Sequence, residues 1–85
     1  MMVLIASPLR PYTGASAVEA DGATLGAVLD DLDHRYPGIR FRMIDEQGKV
    51  RRHMRIFVDG MQVFDLARAL RGTEEICIVQ ALSGG

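Results

Sequence analysis

Eighty-five residues allow one small domain, with a core that is adequate without covalent staples. Apolar content of 48% and charged content of 25% are ordinary for a soluble globular chain, and a net charge of −1 gives no general attraction to nucleic acid or to an anionic membrane. The single Cys77 excludes an internal disulfide framework and fits a reducing compartment, no run nears the ~20 apolar residues of a membrane span, and Met1 to Ala6 is too short and lacks the basic flank of a secretion signal, so the expected location is cytoplasmic.

In chain order, Met2-Val3-Leu4-Ile5-Ala6 is apolar and β-branched before Pro8 and Pro11 interrupt it, and reads as a first strand. Tyr12-Thr13-Gly14-Ala15 reads as a turn, and Ser16 to Ala20 as a second strand that makes a hairpin with the first. After a loop at Asp21-Gly22, Thr24 is placed to cap a helix, and Leu25, Val28, Leu29, Leu32 and Tyr36 recur on one helical face. Asp30, Asp31, His34 and Arg35 fall off that stripe, and Pro37-Gly38 ends the helix. Ile39 to Met54 reads as a long, partly ordered connection. Arg55 to Val58 and Met61 to Phe64 then flank the two-residue turn Asp59-Gly60, a hairpin signal. Leu66 to Leu70 is read as a short helical turn, Gly72 to Glu74 as a loop, and Glu75 to Val79 as the final strand. One helix with a long apolar stripe among about five strands must lie across one face of a mixed sheet, which makes the fold α+β.

The most informative feature follows that domain: Ser83-Gly84-Gly85. Glycine lacks a Cβ and tolerates nearly any φ/ψ, so such a tail can thread a narrow channel and offer its carboxylate without a side chain in the way. A frayed terminus of no consequence would carry the same residues. The expected organisation is a domain over 1–82 and a flexible diglycine tail over 83–85.

Leu9 to Gly14 after the first strand, Thr24 to Leu29 opening the helix, Tyr36-Pro37-Gly38-Ile39, the strand Ile56-Phe57-Val58 and the ending Ala81-Leu82-Ser83-Gly84-Gly85 together carry a resemblance. Over essentially its whole length the chain resembles ubiquitin-like β-grasp proteins, and among them the sulfur carriers of the MoaD/ThiS type. It is nearest to the cysteine-biosynthesis and molybdopterin-synthase small-subunit branches. The resemblance implies a ubiquitin-like β-grasp fold and a protein that is no catalyst. It implies partners as well: an E1-like adenylating enzyme that spends ATP on the terminal carboxylate, a sulfur donor protein and a sulfur-accepting enzyme. Gly85 would then bear the acyl-adenylate and the thiocarboxylate, with Gly84 and Ser83 as the slim segment behind it. No cofactor would be bound permanently. Two positions depart from the family pattern: Gln80 stands where relatives often have proline or an aromatic residue, and Ala15 where many have a second glycine. Neither touches the diglycine, but both blur which pathway is served.

Other features carry less chemistry. Cys77 within a strand reads as a small hydrophobe. His34 and His53 have no second metal ligand at a recognisable spacing, Ser7, Ser16 and Ser83 have no evident base, and no phosphate loop is present. The stretch Arg40 to Arg55 holds six of the ten Lys and Arg residues and reads as solvated surface, or as a match for an acidic partner groove; only Phe41 is there to stack a base, which argues against nucleic acid. Strand alternation puts Val3, Ile5, Ile56, Val58, Ile76 and Ile78 on the helix side, leaving Leu4, Phe57, Cys77 and Val79 on the other. Leu4, Phe57 and Val79 are therefore the candidate partner-binding residues, although dimerisation would use the same face. Two rivals to the carrier remain open: a covalent modifier of lysines that uses the same activated tail, and a β-grasp interaction module.

Overall fold

The computed structural model describes residues 1–81; residues 82–85 lie outside the described part. Five strands, β1 (Met2–Leu4), β2 (Ala17–Glu19), β3 (Met54–Val58), β4 (Met61–Gln62) and β5 (Ile76–Gln80), form one mixed sheet in the order β2-β1-β5-β3-β4. The central pair β1–β5 is parallel, and the remaining pairs are antiparallel. Asp59 and Gly60 take φ of 48° and 83°, the paired left-handed turn that matches the twist of a tight hairpin.

The long helix α2 (Leu25–Arg35) starts where the sequence indicates: the Thr24 hydroxyl accepts the amide of Ala27 at 3.1 Å. Leu25, Val28, Leu29 and Leu32 are fully buried in the core against Val3, Ile56, Ile76 and Ile78 of the sheet, while Tyr36 at the end of the stripe is half-buried.

Three segments differ from their sequence reading. Residues 7–13, read only as the interruption of the first strand and the start of a turn, form a 3-10 turn over Ser7–Leu9 followed by α1 (Arg10–Thr13). Pro8 and Pro11 sit in the first turns of these helices, where a missing N–H costs nothing and a fixed φ suits the helix. The supposed connection after Gly38 contains α3 (Ile39–Met43), with Ile39, Met43 and Ile44 fully buried. Its start is held by Asp33, whose Oδ1 accepts the amides of Gly38 (3.1 Å) and Arg40 (3.0 Å), and Gly38 takes φ +98°, a conformation that favours glycine. A narrow loop then closes through the Ile44–Val50 bridge. Finally, Leu66–Leu70 holds only a single turn, closed by Arg68 N donating to Asp65 O at 3.1 Å, and the backbone after it clips to the start of α2, with Leu25 N donating to Arg68 O at 2.9 Å and Leu70 N to Ala23 O at 2.9 Å.

Candidate functional site: the sheet face and the tail root

Strand alternation divides the sheet as the sequence indicates. On the helix side Val3, Ile5, Ile56, Val58, Ile76 and Ile78 are all at most 3% exposed. On the other side Leu4, Phe57 and Cys77 are half-buried and Val79 is 39% exposed. The register brings three of these into one row across the sheet, because Leu4 and Phe57 both pair with Cys77. Val79 lies two residues further along β5, opposite Arg55. Met2, two residues before Leu4 and 42% exposed, extends the patch, and the same alternation could have placed it there. An apolar strip rimmed by polar strand ends is the usual form of a protein-binding face.

Ser83, Gly84 and Gly85 lie outside the described residues. Their point of departure is nevertheless fixed. Ala81 N donates to His53 O at 2.7 Å, which continues the pairing of β5 with the chain before β3. Because β1 runs parallel to β5 and β3 antiparallel to it, the end of β1, the end of β5 and the start of β3 share one sheet edge. Two cavities flank the chain there. One, of about 490 Å3, is lined by Ala6, Ser7, Pro8, Arg10, Val79 and Ala81 among others; the second, of about 400 Å3, by Pro8, Leu9, Phe41, Arg42, Arg51, His53 and Gln80. The second is built from four separate stretches of chain and had no signal in the sequence.

The described side chains hold no catalytic assembly. Among the described residues no three His, Cys, Asp or Glu side chains converge on a metal position, and His34 and His53 are exposed. The perturbed groups are structural. Glu74, 7% exposed, is held below the usual glutamate range by the amide of Arg71 above all, with those of Gly72 and Thr73 adding to it. Asp31 is lowered chiefly by the amide of Asp21, and Asp45 chiefly by the amide of Lys49. The Met1 ammonium is raised by its bonds to Asp21 and Glu19. Each marks a place where a charge orders a loop or a chain end, away from any reacting centre. The arrangement can present a strand end to another protein.

The profile of the ThiS family matches residues 3–85. The sulfur carrier protein CysO of Mycobacterium tuberculosis is 39% identical over 98% of this chain and 96% of its own length, and its crystal structure superposes with a TM-score of 0.89. CysO in the BexX/CysO complex of Amycolatopsis orientalis is 32% identical, with a TM-score of 0.90, over 99% of this chain and 98% of that one. SAMP1 of Haloferax volcanii is 26% identical, with a TM-score of 0.79, over 100% of this chain and 98% of that one.

Proposed function

This chain belongs to the ThiS family, and on that premise we propose how it carries sulfur. It is a sulfur carrier and not itself a catalyst. The Gly85 carboxylate attacks the α-phosphorus of ATP in the site of an E1-like adenylating enzyme, and pyrophosphate leaves. The resulting mixed anhydride has an acyl carbon open to attack. A sulfide equivalent from a sulfur donor protein adds to that carbon and expels AMP, which takes the original carboxylate oxygen with it. The thiocarboxylate then passes sulfide to an acceptor enzyme. ATP is the partner's substrate, and the carrier holds no cofactor. Its contribution is a carboxylate with no bulk beside it, on Gly84 and Gly85.

The near full-length similarity to CysO carries this reading. The geometry agrees with it: β5 delivers the chain to a sheet edge where an apolar face, containing Leu4, Phe57 and Val79, is open for the enzyme that receives the tail. A short tail offers little contact area and loses entropy on ordering, so the globular body must supply most of the grip.

Deleting Gly85, or adding one residue after it, should abolish ATP–pyrophosphate exchange with the adenylating enzyme while the melting curve stays unchanged. Normal activation of the truncated chain would sink the carrier mechanism. The likeness to SAMP1, a name that stands for small archaeal modifier protein 1, favours covalent modification as a second reading. A modifier leaves a ladder of heavier conjugates on a denaturing gel, whereas a carrier gives one species with sulfur at its end.

A further inference from the structure

The smaller cavity at the tail root is basic, and its two arginines stand outside the ion pairs of the described residues. Arg42, Arg51 and His53 line it together with Phe41 and the rim residue Gln80. Among the described residues the ion pairs engage Arg35, Arg40, Arg71 and the amino terminus, and none involves Arg42, Arg51 or His53. Arg40, on the same short helix as Arg42, is by contrast paired with Asp30 at 2.9 Å. Asp45, the acid just beyond that helix, accepts the amides of Gln47 (2.9 Å) and Lys49 (3.0 Å) with its Oδ1, and it feels the Arg51 charge without forming an ion pair with it.

Arg51 is also held in place. Its Nε donates to Phe41 O at 2.7 Å, and its guanidinium carbon stands 4.6 Å from the centroid of the Phe41 ring. These contacts fix the plane and, among the described residues, leave its Nη edge without a hydrogen-bond acceptor. A guanidinium ordered before binding loses less entropy when a carboxylate forks onto it, and the planar fork suits that ligand. The wider charge pattern points the same way. Arg51 and His53 precede β3 and Arg10 follows β1, at the edge from which the tail departs; Glu19 ends β2, Asp59 follows β3, and Glu74 and Glu75 precede β5, at the opposite edge. A net charge of −1 therefore hides an uneven layout: the tail edge carries Arg42 and Arg51 outside any ion pair of the described residues, whereas at the far edge Glu19 is paired with the Met1 ammonium at 3.1 Å and Glu74 faces Arg71 at 3.9 Å.

We propose that the Arg42–Arg51 cleft is an electrostatic docking site for a carboxylate-bearing segment of the protein that receives the tail. The volume of about 400 Å3 suits one or two acidic side chains. Phe41 is the one aromatic ring in it, too few for the successive base stacking of a single-stranded nucleic-acid groove. The partner's identity rests on the carrier reading; the carboxylate chemistry of the cleft does not.

The full chain is titrated with a blocked tetraglutamate peptide, and amide chemical shifts are followed. Saturable shifts are expected at Phe41, Arg42, Arg51 and His53. Arg51→Gln and the exposed, unbonded Arg42→Gln should each weaken binding about tenfold, the scale of a lost charge-assisted pair. Arg52→Gln, which lies outside the cleft, should leave it unchanged. Absence of saturable shifts, shifts spread over Arg52, Arg68 and Arg71, equal weakening by Arg52→Gln, or displacement of the peptide by equimolar inorganic phosphate or a short oligouridine would each overturn the proposal. With the adenylating enzyme, Arg42→Gln should raise KM about tenfold and leave kcat alone; an unchanged KM would overturn it. Peptide binding at the cleft with no activation of the wild-type chain would instead count against the carrier reading alone.

Discussion

The two faces of the sheet are made by the same strands and differ in what each residue is for. β5 sends Ile76 and Ile78 inward, where they are 0% and 2% exposed, and Cys77 and Val79 outward, where Val79 is 39% exposed. Apolar side chains stand on both faces, yet only one face has a helix laid over it. The inward set serves the stability of this chain; the outward set stays available to another one. A period of two lets ten or so residues hold both roles without compromise, because neither set touches the other.

The largest effect should come from the covered face. Leu29→Ala and Leu32→Ala remove fully buried side chains under α2 and should each cost about 2–5 kcal/mol of stability, a large share of the total for so small a domain. Chemical denaturation measures this, and parent-like curves would mean that the core tolerates the loss and that the division between faces has less force. Phe57→Asp, on the open face, should do the reverse. It should weaken association with the adenylating enzyme by about 2 kcal/mol, the scale of an aromatic interface anchor, while the melting temperature moves little. A collapsed melting temperature with unchanged binding would put Phe57 among the structural residues. The smallest effect lies at the far edge. Glu74 has its folded pKa lowered below the ordinary 4.5, so its contribution is complete above the unfolded value and vanishes as the pH falls through the folded one. The stability gap between the parent and Glu74→Gln should therefore be widest at neutral pH and close on acidification. A gap that persists at low pH would show that the glutamine amide itself disturbs the loop.

The covered face was legible in the sequence because its signals are local and periodic. Leu25, Val28, Leu29 and Leu32 repeat at helical spacing behind a capping Thr24, and the strand parities of Val3, Ile56 and Ile76 survive folding unchanged. Helix α3 was not legible, for two physical reasons. Five residues are too few to establish a period, and its stabilising contact, the Asp33 carboxylate on the amides of Gly38 and Arg40, comes from the preceding helix. Glu74 lies in the loop that the sequence indicates, but its role there is not legible, because a carboxylate that satisfies the amides of Arg71, Gly72 and Thr73 has no pattern beyond its own presence. The open face could be read from parity, but the cationic cleft could not, since Pro8, Arg42, Arg51 and Gln80 meet only once the sheet has closed.

The position of β5 has a further consequence for how the sheet assembles. The strand closest to the carboxyl end of the chain is the central one, with β1 and β2 on one side and β3 and β4 on the other. Until it is in place those four strands are two separate hairpins, neither of them stable alone in water. Pairing Val3 with Ile76 closes a loop of nearly the whole chain, the kind of contact that forms late and slowly. The two halves of the sheet therefore cannot join until Ile76–Gln80 is available to lie between them. The segment that leads into Ala81 is thus also the keystone of the fold, because it is the one strand hydrogen-bonded to both halves.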